Sequence, residues 1–184
     1  MKGGITFWKK FAQPVVLGSS VRFSRVLLSG NEQMVTPSGS CPVGSPAAAA
    51  LAASENGFYA VEFLRLNDMR GNLATPYNWG EFVLWKLSPR VKVSFDGRYE
   101  TVYPPYVSTD NFNFMYGNGD WRRLLRAYPT EMVLVDKRYP MALHMAQEPG
   151  WIPVYEDKIS ALYLPAAKSQ GPWRVPPTSD GTIP

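Results

Sequence analysis

The chain has 184 residues, of which 45% are apolar, 14% aromatic and only 18% charged. That is enough apolar material for one sizeable core, and it excludes disorder along the whole length. A single cysteine, Cys41, and a single histidine, His144, exclude a disulfide scaffold and a zinc site of three or four N/S ligands, so neither a metal nor a cofactor is expected.

The net charge of +4 is unevenly placed. Residues 1–30 hold Lys2, Lys9, Lys10, Arg22 and Arg25 and no acid; the 19 basic residues less these five leave 14 against 15 acids elsewhere. A nearly neutral body argues against nucleic-acid binding, which calls for a basic face on the folded part. The basic arm is interleaved with aromatics, and Phe7, Trp8, Lys9, Lys10 and Phe11 form a cluster suited to a lipid headgroup layer or an acidic partner surface. Pro14-Val15-Val16-Leu17 is cut short by Gly18-Ser19-Ser20, too short for the apolar core of a signal peptide. No run approaches the roughly 18 apolar residues of a membrane-spanning helix.

In chain order, residues 1–45 read as an irregular arm and linker, rich in Ser, Gly and Pro from Ser29 onward. An α/β domain is expected over 46–165. Pro46 and the alanines after it open a short helix, and Gly57 punctuates it. A clearer helix over 58–68 carries Tyr59, Phe63 and Leu66 on one stripe. Asn72–Tyr77 reads as a strand. Asn78 then reads as an N-cap, with Glu81 in the capping-box position, and the helix ends before Pro89. Val91–Phe95 alternates as a strand does, and Asp96-Gly97-Arg98 is the turn that leaves it. Residues 99–119 show no regular period and read as a long aromatic loop. A helix from Asp120 to Tyr128, a strand over Met132–Val135 and a helix over 139–148 follow. Trp151–Tyr155 and Ile159–Leu164 form a closing hairpin. The tail over 166–184 is rich in Pro and Gly, and is expected to drape over a surface or stay disordered. Alternating strands and helices define an α/β fold of two or three layers, with a mixed sheet of about five short strands.

From residue 58 to 165 the order of these signals resembles the soluble C-terminal extracytoplasmic domain of bacterial polytopic membrane proteins related to the GT-C glycosyltransferases. The residues that carry it are Gly71-Asn72-Leu73, Tyr77-Asn78-Trp79-Gly80-Glu81-Phe82-Val83-Leu84-Trp85, Pro89, Val91-Lys92-Val93 and Phe95-Asp96-Gly97-Arg98, followed by Trp121, Trp151 and Val154-Tyr155-Glu156-Asp157. Asn78-Trp79-Gly80 is also distantly similar to the acceptor motif of oligosaccharyltransferase catalytic subunits, whose acidic residue is here replaced by Asn or displaced to Glu81. The resemblance implies a place on the extracytoplasmic face of the membrane, among integral membrane subunits. It implies no reaction, because in such enzymes the catalytic carboxylate and the lipid-linked donor site lie on loops between membrane helices. The expected role is therefore a non-catalytic structural or interaction subunit. The alternative is the acceptor- or donor-binding part of a split glycosyltransferase.

Four residues are candidates for ligand binding: Asn78, Trp79, Asp96 and Arg98. Asp96 and Arg98 end a strand, where open α/β sheets place ligands, and a carboxylate with a guanidinium suits a sugar phosphate. They suit a structural ion pair equally. Trp79 can stack on a sugar but more often fills a core, while Trp85 is expected to pack against the sheet. Glu156 and Asp157 are adjacent in a turn and are not placed across a cleft as an acid–base pair requires. His144 has no acidic partner upstream on its helix and reads as structural.

Overall fold

The computed structural model describes residues 57–177. The expectations for the basic arm, Cys41 and the alanine-rich helix after Pro46 lie outside the described residues. The elements run α1 (Phe58–Leu66), β1 (Gly71–Ala74), α2 (Tyr77–Leu87), β2 (Val91–Val93), α3 (Tyr99–Val102), α4 (Pro105–Tyr116), α5 (Arg123–Ala127), β3 (Met132–Asp136), α6 (Met141–Met145), β4 (Trp151–Glu156) and β5 (Ser160–Pro165), closed by a 3-10 turn at Ala166–Lys168.

The strands form one mixed sheet of five, in the order β2-β1-β3-β5-β4. β1 is parallel to β2 and β3, while β5 is antiparallel to both β3 and β4. Period-two alternation sends neighbouring side chains to opposite faces. Along β3, Met132 and Leu134 face one core while Val133 and Val135 face the other, and Ala161 to Leu164 of β5 alternate in the same way. One core is closed by α1 and α2 through Phe63, Leu64, Trp79, Val83 and Leu87. The other is closed by α4, α5 and α6 through Val107, Phe114, Leu124, Met141 and Met145. The fold is a three-layer α/β/α sandwich. A shift of register between Pro153 and Tyr155 bulges β4 and brings Val154 and Tyr155 to the same core.

Several expectations need correction. α1 buries Ala60, Val61, Phe63 and Leu64, not a Tyr59–Phe63–Leu66 stripe, and Tyr59 packs only partly against the core. α2 begins at Tyr77 after Pro76, so Asn78 is not its N-cap and no side chain caps it. Glu81 lies instead beside Gly97. Residues 99–119 are two helices and not a loop. Pro105 in the first turn starts α4, and Gly117 at φ 68° stops it. Its buried face, Val107, Asp110, Asn111, Phe114 and Met115, has helical spacing, but two of the five residues are polar, which hides the period.

The first part of the tail drapes over α1. Trp173 lies 6.2 Å from Phe63, ring to ring. Asn67 donates to the Arg174 carbonyl at 2.9 Å and accepts from its N–H at 2.8 Å.

Candidate functional site

The chain leaves β1 into α2 on one face of the sheet. It leaves β2 into the helices of the other face before returning as β3 on the far side of β1. The C-terminal end of β1, between β2 and β3, is therefore the topological switch point, the preferred ligand crevice of such sheets.

Two corners built on the same Asp-x-Arg pairing flank it. At the end of β2, the fully buried Asp96 accepts from the Arg98 backbone N–H at 2.9 Å and from its Nε at 3.0 Å, both on Oδ1. Its Oδ2 accepts from Arg98 Nη2 at 2.6 Å and from the Tyr103 hydroxyl at 2.9 Å. At the end of β3, Asp136 does the same with Arg138: the backbone N–H and Nε lie 2.9 Å from Oδ1, and Nη2 lies 2.6 Å from Oδ2. β2 and β3 lie on either side of β1 in the sheet. In each, the carboxylate is buried and the guanidinium reaches the surface, its side chain 38% exposed at Arg98 and 57% at Arg138.

The geometry has a plain electrostatic consequence at Asp96. Burial pushes its carboxyl up, but the hydrogen bonds from Arg98 and Tyr103 outweigh that and hold it below the usual carboxylate value. The Arg98 guanidinium is raised by the same bonds. Burial, together with the neighbouring Asp96 charge, pushes the Tyr103 phenol well above its usual range.

At the same edge, Thr75 and Ser94 bring buried hydroxyls that have no hydrogen-bond partner among the described residues. Thr75, Asp136, Tyr139 and Met141 line a narrow cavity of about 10 Å³, room for about one water molecule. A series of ring contacts joins one corner to the other, from Tyr99 to Phe112 at 5.4 Å, Phe112 to Tyr116 at 6.4 Å and Tyr116 to Tyr139 at 5.7 Å.

Of the four expected ligand residues, this edge gathers Asp96 and Arg98. Trp79 is fully buried between α1 and the sheet, so its ring has no face left for a ligand. Asn78 is exposed on the first turn of α2. Trp85, expected against the sheet, is 74% exposed. Asp136, Arg138, Thr75 and Tyr139 escaped the sequence reading. The repeated Asp-x-Arg triplet after two parallel strands was the signal that could have found the first two. Elsewhere the acids serve turns and ion pairs. Asp157 accepts from the backbone N–H groups of Ile159 and Ser160 at 2.9 and 2.7 Å, and Glu156 pairs with Lys137 at 2.6 Å. His144 stacks on Trp121 at 5.0 Å.

Chemically, this edge offers two guanidiniums held in fixed orientation, two buried hydroxyls and a band of aromatic rings. Its two carboxylates are not free bases, because a base needs an open lone pair within reach of a substrate. Both oxygens of Asp96 and of Asp136 are already engaged. Among the described residues no group of three His, Cys, Asp or Glu is arranged to hold a metal. No helix among them is long and apolar enough to cross a membrane. Comparison with protein-family models, curated proteins and solved structures gives no match.

Proposed function

We propose that this chain is a non-catalytic structural or interaction subunit of a membrane protein assembly, held peripherally on the extracytoplasmic face. The observation that carries the reading is the state of the strand-end carboxylates. In an α/β enzyme these are the positions from which acids and bases reach the substrate, and here Asp96 and Asp136 are each buried against an arginine two residues on. The side of the membrane rests on the resemblance of Tyr77–Trp85 and Phe95–Arg98 to the GT-C-associated soluble domain. Its partners are integral membrane subunits, and the basic, aromatic arm around Phe7–Phe11 supplies a second contact.

The alternative is the acceptor- or donor-binding part of a split glycosyltransferase. The two guanidiniums flanking the switch point favour it, since each is held in a fixed orientation by a buried carboxylate and reaches the surface.

Gentle detergent solubilisation of the native source, followed by pull-down on the full chain, tests both. Stoichiometric recovery with membrane subunits that include no glycosyltransferase supports the structural role. Recovery with a polytopic GT-C partner supports the alternative. Recovery as a lone monomer overturns both.

A further inference from the structure

Thr75-Pro76 joins the end of β1 to the start of α2, so the helix begins at the switch point itself. The Pro76 carbonyl accepts from the N–H groups of Trp79 and Gly80 at 3.0 and 3.2 Å. No side chain caps the N–H groups of Tyr77 and Asn78 before them, and the first turn of α2 holds no acid to offset the helix dipole.

A second, independent donor stands beside this helix start. Thr75 is only 5% exposed, and its hydroxyl has no hydrogen-bond partner among the described residues. With Pro76, Asp136 and Tyr139 it lines the cavity of about 10 Å³. That volume admits one oxygen atom, and an oxygen placed there would satisfy a hydroxyl that is otherwise buried without a partner.

The charges around the junction set the sign of the ligand. The first turn of α2 touches one corner, since a side chain at Gly80 would meet the Asp96 Cβ, and Asp136 of the other corner lies on the cavity wall. Each carboxylate is neutralised by its arginine, whose guanidinium reaches the surface. Glu81 turns its carboxylate to Gly97. The groups left to a ligand are donors of three kinds: a hydroxyl, helix N–H groups and guanidiniums. They match the three terminal oxygens of a phosphate ester, the group that helix N-termini at strand ends accept.

We infer that the β1–α2 junction binds the phosphate group of a small soluble ligand, one oxygen entering the cavity to accept from the Thr75 hydroxyl and another accepting from the Tyr77 and Asn78 N–H groups. This goes beyond the function proposed above and does not rest on its membrane role.

Calorimetric titration of the full chain with inorganic phosphate, at constant ionic strength in chloride, tests it. The wild type is expected to saturate at one site. Thr75→Val should weaken binding about tenfold without lowering the melting temperature, because the hydroxyl it removes has no protein partner. Asn78→Asp should abolish binding while keeping or raising the melting temperature, because a carboxylate at a helix N-terminus stabilises the helix and repels an anion. A purely structural role for these residues would move the melting temperature and not the titration. Absence of saturable phosphate binding by the wild type overturns the inference, and so does full affinity in both variants. Acetate binding as tightly as phosphate overturns the choice of phosphate. Displacement of phosphate by phosphatidic acid vesicles but not by glycerol 3-phosphate overturns the soluble ligand. None of these outcomes bears on which subunits co-purify, so the proposed function stands or falls separately.

Discussion

Trp79 and Trp85 belong to the same helix and end in opposite environments: Trp79 has no exposed surface and Trp85 is 74% exposed. Six residues turn a helix by about 240° beyond a full turn, so the two rings cannot share a face. The inner face of α2 rests on the sheet through Trp79, Val83 and Leu87. It also touches the Asp96 corner, because a side chain at Gly80 would collide with the Phe95 carbonyl and the Asp96 Cβ. The outer face carries the exposed Trp85, while Phe82 packs partly against the same core. Identical residue types therefore stabilise the fold on one side and remain available for contact on the other.

The comparison can be broken from the inside out. Trp79→Ala empties the largest fully buried side chain and should cost about 3–5 kcal/mol in urea unfolding. A loss below about 1 kcal/mol would mean that the inner face is not the seat of stability. Gly80→Ala should cost about 1–3 kcal/mol, because the methyl group meets backbone that cannot swing aside. An unchanged unfolding midpoint would remove the close approach of α2 to the strand end.

Asp96→Asn tests the corner through pH. Arg98 and Tyr103 hold the Asp96 carboxyl below its usual value, so the ionised pair stabilises the fold fully above about pH 4. That contribution is lost as the pH falls through the lower, folded value. The variant should be less stable than the wild type by about 1–3 kcal/mol at pH 7, and the gap should narrow on acidification below about pH 4. A gap that stays constant into acid would show that the charge contributes nothing. The smallest effect belongs to the outer face, where Trp85→Ala should change stability by less than about 0.5 kcal/mol. A larger loss would make Trp85 part of the core after all.

Much of this architecture was legible in the chain. The alternation over Val91–Val93, the apolar run Met132–Val135, the hairpin around Asp157 and the break at Pro89 follow from local rules, and all occur close to where those rules place them. α4 was not legible, because its buried face includes Asp110. That carboxylate is tolerated inside because Arg123 reaches it at 3.0 Å and the Tyr128 hydroxyl at 2.7 Å, 13 and 18 residues further on. A reading based on apolar spacing scores such a position as exposed. The Asp96–Arg98 pair was visible as a triplet. Its counterpart Asp136–Arg138 gained meaning only once β2 and β3 were seen to flank β1.

What the sequence determined by itself is whatever depends on near neighbours: the order of the strands and of the helices outside residues 99–119, the class of fold and the concentration of positive charge in residues 1–30. Tertiary structure alone decided which tryptophan is enclosed, which carboxylates are neutralised and which strand ends stand side by side. The physical reason is that burial and charge compensation are settled by partners distant in the chain. Periodicity, capping and turn chemistry act over a few residues and carry no information about those partners.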